Sequence, residues 1–253
     1  MAIFATRYAH DLQRQYAQLH ALDGTSCADG ESEPMNILKR LKRLLARSPR
    51  TLASRDAYTK WVAHYPPVPH NALMQAEQDS MLKLMPSVAQ KTVLDLACGT
   101  GRYMRIAYDN GALLVFGVDN SYAMLHASEQ NALACTETGA LCLADNSVDI
   151  ILCGLALGHL PTIEPTFVEM SRVLRPQGSL LLSDLHPYQT LNGAQRTFTD
   201  TDGTIYAVEH YLHPISHYIN TARKHGMQIT ALDEPVVHGD TPAVLVMRFD
   251  KTT

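Results

Sequence analysis

The chain has 253 residues, 46% of them hydrophobic and 18% charged, with 21 Lys and Arg against 25 Asp and Glu for a formal net charge of −4. So large an apolar fraction can fill a core, which excludes a chain disordered throughout, and the length suits one large α/β domain with an appendage or two small domains. The mildly acidic balance sets up no global field for nucleic acid or anionic lipid, and no apolar run approaches the ~18 residues of a membrane-spanning helix. Met1 to Arg7 lacks the apolar stretch of a secretory signal, so a cytoplasmic location is expected. The cysteines, Cys27, Cys98, Cys135, Cys142 and Cys153, include no C-x-x-C pair. They are expected to be reduced, mostly buried and not metal-bound.

In chain order, Tyr8, Leu12, Tyr16 and Leu19 recur at helical spacing before a polar loop from Asp23 to Pro34. Ile37, Leu38, Leu41, Leu44 and Leu45 then form one helical face, with Lys39, Arg40, Lys42, Arg43 and Arg47 on the other. This basic amphipathic helix either packs on the main domain or docks an acidic carrier protein or a membrane surface. Residues 1–53 are therefore expected to be an N-terminal helical extension, and 54–253 the main domain. From Ser54 to Leu84 the pattern is again helical, broken at Tyr65-Pro66-Pro67-Val68-Pro69, where proline cannot continue a helix.

After Pro86 short apolar runs alternate with helix-length stretches: Thr92 to Leu96, Leu113 to Val118, Leu133 to Cys135, Val148 to Leu155, Ser179 to Ser183, Met227 to Leu232 and Ala243 to Phe249. The runs predict a mostly parallel, Rossmann-like sheet of seven strands with helices on both faces. Only Asp233 to Thr241 separates the last two runs, which suits a hairpin and makes the final strand antiparallel.

The strongest chemical signal is Val93-Leu94-Asp95-Leu96-Ala97-Cys98-Gly99-Thr100-Gly101, a buried strand running into a glycine turn that opens a helix. Ligands of open α/β sheets bind at such strand ends, and glycine lets them lie against the main chain. A second acid, Asp119, ends the next strand, about 20 residues on, where a carboxylate accepts hydrogen bonds from ribose hydroxyls. The third glycine of a dinucleotide fingerprint is missing, since Arg102-Tyr103-Met104 stands there. Asp95 inside the strand suits an ammonium better than a phosphate. Both features favour S-adenosylmethionine over a nicotinamide cofactor, although an oxidoreductase remains the rival of another class and a non-enzymatic binder a third reading.

These segments resemble the class I methyltransferases that use S-adenosylmethionine, in particular the type 11 group that includes ubiquinone-type and malonyl-carrier methyltransferases. Asp95 to Gly101 is similar to the first motif of that family, Val118 to Leu125 to its "D-x-S-x-x-M-L" segment, Ala140 to Asp149 to "A-L-P-F-P-D-x-S-F-D", and Arg172 to Gly178 to "R-V-L-K-P-G-G". Cys142 and Ala144 replace the usual prolines. The resemblance spans about Tyr58 to Phe249. It implies that Asp119 and Asn120 bind the ribose end, that Asp95, Ala97, Gly99 and Gly101 underlie the methionine moiety, and that Met124 packs on adenine. Glu137-Thr138 falls where the family's "D-A" contacts adenine, and Gly154-Leu155 brackets the methionine tail. Residues 54–86 are placed as a lid, with Tyr58 and Tyr65 closing on the methionine end.

Methyl transfer is in-line displacement, so orientation in a dry site dominates, with a general base for hydroxyl or carbon acceptors. His159 and His186, just past the fourth and fifth strands, are the candidate bases, each with a structural role as the alternative. His210, His213 and His217 have a loose metal-ligand spacing, but Pro214 interrupts it; Glu209 and His210 are expected instead at the acceptor pocket. The expected function is methylation of a small-molecule acceptor at oxygen or carbon. The alternative is carboxyl methylation of a malonyl group on an acyl carrier protein docked by Lys39 to Arg47. No basic groove with interleaved aromatics points to nucleic acid.

Overall fold

The computed structural model describes residues 49–252. The expected helices around Tyr8 to Leu19 and Ile37 to Arg47, and Cys27, lie outside the described residues.

The strand runs have apolar residues at consecutive positions, as a sheet covered on both faces requires. Strand β2 (Thr92–Leu96) sends Val93 to one face and Leu94 to the other. In β5 (Val148–Gly154), Ile150 and Leu152 join the core on one side, Ile151 and Cys153 that on the opposite side. Strand β3 is Leu114–Asp119, β4 Leu133–Cys135, β6 Leu174–Leu185, β9 Met227–Asp233 and β10 Val244–Lys251. The sheet order is β4-β3-β2-β5-β6-β10-β9. Pairings from β4 to β6 are parallel, and β10 is antiparallel to both neighbours, as the short gap before it predicts. Strand β6 is longer than the Ser179 to Ser183 run, because its register with β5 shifts between Val148 and Ile150 and carries pairing back to Leu174.

Helices cover the two faces. On one, α2 (Ala72–Leu84) buries Met74, Glu77, Ser80 and Met81, a three-to-four-residue stripe, and Asn71 caps it by accepting from the Met74 amide at 2.9 Å. Beside it, α3 (Arg102–Asp109) buries Tyr103, Met104 and Ala107. Opposite lie α5 (Glu164–Val173), burying Phe167, Met170 and Val173, and α7 (Ile215–Lys224), burying Tyr218 and Ala222. Met104 is wholly buried where a dinucleotide fold has glycine, and the room comes from the neighbouring strand: a Cβ on Gly117 would meet Met104 Sδ and lie 2.9 Å from Cys98 Sγ.

Outside this layer stands a second sheet, ordered β1-β8-β7, from Arg50–Leu52, Ile205–Val208 and Thr197–Thr199. Arg50–Leu52 falls within the 1–53 extension expected from sequence, yet it pairs in parallel with β8. The sheet packs on α1 (Ser54–Trp61), with Trp61 stacked on Phe198 at 5.0 Å. Of the described cysteines, Cys98 and Cys153 are buried but Cys135 and Cys142 are exposed, which corrects the expectation of mostly buried thiols.

Candidate functional site

A cleft of about 910 Å³, open solvent at its mouth included, lies over the carboxyl ends of β2, β3 and β5, where ligands of open α/β sheets bind. Its floor is strained backbone. Ala97 at the end of β2 has φ +58° and Leu155 at the end of β5 has φ +55°, left-handed values that non-glycine residues rarely adopt and that concentrate at functional sites. Gly99, φ +56°, follows Ala97 in the turn, where a Cβ would come 3.2 Å from Met124 Cε.

Asp119 organises the turn. One carboxylate oxygen accepts from the Gly99 amide at 2.9 Å and the other from the Ser121 amide at 2.8 Å, leaving further lone pairs toward the cleft. Burial raises its pKa above the ordinary carboxylate value, and the amide bonds pull against that rise. Asp95 is 1% exposed and accepts from the Met104 amide at 3.0 Å. Burial pushes its pKa up to about 8, so the carboxyl is largely neutral at pH 7. A first-turn amide of α3, which would face a pyrophosphate in a dinucleotide site, is thereby committed to a protein acid.

Tyr58, Tyr65, Asp95, Ala97, Gly99, Asp119, Asn120, Met124, Thr138, Gly154, Leu155 and His159 all line the cleft. Three other sequence candidates do not. Gly101 turns away as the left-handed N-cap of α3, and its Cβ would lie 2.6 Å from Gln130 Cγ, so a packed loop requires that glycine. Glu137 is exposed and accepts from Asn120 Nδ2 at 3.1 Å. His186 is buried: its Nε2 meets Glu234 Oε1 at 2.9 Å and its Nδ1 caps the short helix α6 (Pro187–Leu191) by accepting from the Tyr188 amide. Both its nitrogens are thus used structurally.

His159 is different. Its Nδ1 lies 2.7 Å from the Glu209 carbonyl, which can only accept, so Nδ1 carries the hydrogen and Nε2 the lone pair; Nε2 takes the Tyr58 hydroxyl at 3.2 Å. Burial, followed by the positive charge of Arg196, pushes the ring down to about 4, keeping it neutral at physiological pH.

A second chamber adjoins the first and shares Met74, Leu155, His159 and Arg196 with it. Trp61, His70, Asn71, Asp184 and His210 also line it. Among the described residues, both His210 nitrogens are buried without a hydrogen-bond partner, Nε2 stopping 3.6 Å from Asp184 Oδ1. Glu209 contributes only its carbonyl, through His159. Sequence reasoning did not single out Arg196, Met74, Thr100, Arg102 or Asp184. Only the turn residues Thr100 and Arg102 carried a signal, their place beside the glycines.

Glu77 ties the lid side to the turn. Wholly buried on α2, it accepts from Arg102 Nη2 at 2.8 Å, the Tyr103 hydroxyl at 2.7 Å and Ser183 Oγ at 2.6 Å.

The sequence model of a family described as "Methyltransferase domain" matches residues 94–182, from β2 into β6. The chain is 33% identical over 138 residues to a malonyl-[acyl-carrier protein] O-methyltransferase of Pectobacterium atrosepticum, covering 49% of this chain and 54% of that one. The chain spans about half the length of the curated relatives it matches. Among solved structures, one from Listeria monocytogenes, provisionally assigned to the S-adenosylmethionine dependent methyltransferases, superposes with TM-score 0.60 at 25% identity over 71% of this chain and 99% of that one. An S-adenosylmethionine dependent methyltransferase from Mesorhizobium loti shares the fold, with TM-score 0.59 at 20% identity over 69% and 97%. With the strained strand ends, the Asp119 cradle and the strand order, these likenesses show that residues 94–182 match a methyltransferase domain and that the sheet has the fold of the class I, S-adenosylmethionine-dependent methyltransferases.

Proposed function

We propose that the chain is a methyltransferase that uses S-adenosylmethionine to methylate oxygen or carbon of a small-molecule acceptor held in the second chamber. The observation that carries this reading is the meeting of two chambers at Leu155 and His159, above a strand-end carboxylate already oriented by two backbone amides. The residues present fit the cofactor: Asp119 and Asn120 for the ribose hydroxyls, Met124 and Thr138 for adenine, and the backbone of Ala97, Gly99, Gly154 and Leu155 with Tyr58 and Tyr65 for the methionine end. Asp95, which lines the same cleft, would hold the ammonium. When bound, S-adenosylmethionine supplies an electrophilic methyl group on a sulfonium sulfur.

The chain's own work is positioning and exclusion of water, which together can supply roughly 7–11 kcal/mol. Tyr58, Trp61 and Tyr65 form an aromatic wall, with Tyr58 and Trp61 stacked at 5.8 Å. His159 Nε2 accepts the hydrogen of an acceptor hydroxyl in place of the Tyr58 bond, orienting the oxygen lone pair before the proton moves. The test is calorimetric titration of the full chain. S-adenosylhomocysteine binds, NADH does not, and Asp119→Ala abolishes the binding. Tighter binding of the dinucleotide would reverse the assignment.

The Pectobacterium relative favours a second reading, carboxyl methylation of a malonyl group on an acyl carrier protein. Carrier binding that weakens with salt and disappears on reversing the charges of Lys39 to Arg47 would select it.

A further inference from the structure

Arg196 belongs to none of the sequence motifs, yet it lines both chambers. It immediately precedes β7, and its backbone carbonyl accepts from the Val208 amide at 2.8 Å, so the small sheet fixes its place. A guanidinium carries five N–H donors in a planar fork. Among the described residues it makes one side-chain hydrogen bond, from Nη1 to the Leu155 carbonyl at 3.3 Å, and no ion pair. Its other neighbours are ring faces, Tyr58 at 5.8 Å and Trp61 at 5.7 Å, which favour the charge without using the donors. Asp184, the one acid among the described residues lining the second chamber, is committed elsewhere: it accepts from the Tyr218 hydroxyl at 2.7 Å and the Leu185 amide at 2.8 Å. Burial opposes the arginine's charge, but the surroundings of Tyr58, Tyr65, Glu77 and Asp184 outweigh it and keep the guanidinium protonated.

A partly buried cation with open donors on a cavity wall is completed by an anion, best by a carboxylate that matches the fork with two oxygens. We infer that Arg196 binds a carboxylate of the acceptor at the neck between the chambers. The inference rests on reading the first chamber as the cofactor site. Among the described residues, the other side chains lining the second chamber carry no fixed positive charge, only the histidines His70, His159, His210 and His238, so the neck suits a monoanion better than a phosphate dianion. The same placement links binding to chemistry. After burial, the charge of Arg196 is the main cause holding His159 low, and a carboxylate on the guanidinium cancels it. Acceptor binding therefore returns basicity to the ring poised to take the acceptor's proton.

The test uses the full chain saturated with S-adenosylhomocysteine, titrated with benzoate, benzamide and phenyl phosphate at low salt, beside Arg196→Met and Arg196→Gln. Benzoate is expected to bind wild type about tenfold more tightly than benzamide, and both substitutions should erase that preference. Equal binding of acid and amide, no binding of benzoate, or a preference surviving in a folded substituted chain overturns the inference, as does tighter binding of phenyl phosphate. The wild-type comparison decides even if neither variant folds. Failure of S-adenosylhomocysteine to bind in the first step refutes the methyltransferase reading instead, so the two failures are distinguishable.

Discussion

Replacing Glu77 by Gln isolates the contact that fastens α2 to the glycine turn. The carboxylate is wholly buried and its Arg102 partner has a side chain 12% exposed, so water cannot take over when the pair is broken. The amide that replaces one oxygen presents donors either to Arg102 or to Tyr103 and Ser183, which are donors themselves at 2.8, 2.7 and 2.6 Å. Removing one partner of a buried pair costs about 3–5 kcal/mol; we take the lower end, about 3 kcal/mol, because the remaining oxygen still accepts. At about 2–4 °C per kcal/mol for a domain of this size, Glu77→Gln should lower Tm by roughly 6–12 °C. Urea melts of Glu77→Gln, Arg102→Met and the double variant close a cycle, and the coupling should be about 2 kcal/mol, within the usual range for contacting residues. Coupling below about 0.5 kcal/mol would mean that the pair does not stabilise the turn, and the argument from burial would fail.

Gly154→Ala should destabilise by about 1–3 kcal/mol in urea and weaken S-adenosylhomocysteine binding, since the added Cβ would stand 2.6 Å from Tyr103 Cε2 and 3.2 Å from Glu77 Oε1; unchanged affinity would show that this wall does not shape the cleft. Because the folded ring of His159 titrates near 4 rather than 6.5, its contribution to stability is full above 6.5 and is lost as pH falls toward 4. His159→Gln should therefore flatten the stability profile in that window, and an unchanged profile would refute the assignment. Asp95 has the opposite sign: its folded pKa of about 8 means that stability from this group is full below 3.8 and declines as pH rises toward 8. Asp95→Asn should remove that decline in melts from pH 5 to 9, a window covering about four units of the titration. In wild type, S-adenosylhomocysteine should bind more tightly as pH rises toward 8 and Asp95 ionises, a trend absent from Asp95→Asn.

By itself the sequence determined the seven-stranded sheet, its antiparallel last strand and the strand-end residues of the cleft. These follow from local patterns: consecutive apolar residues such as Ile150, Ile151, Leu152 and Cys153 require cover on both faces, and a nine-residue gap permits only a hairpin. Asp95, Gly99 and Asp119 could be placed because strand and turn fix their positions within a few residues. The fates of the histidines could not be read this way. His159 and His186 both follow a strand, and what separates them is whether Glu209 and Tyr58, or Glu234 and Tyr188, occupy their nitrogens, partners from 2 to 101 positions away. Gly101 was likewise assigned to the ligand by its motif, whereas the distant Gln130 decides its role. The second chamber and Arg196 come from the packing of the small sheet on α1, whose strands start at residues 50, 197 and 205. No local pattern announces a cation whose setting is built from contacts so far apart in the chain, and only the tertiary fold brings them together.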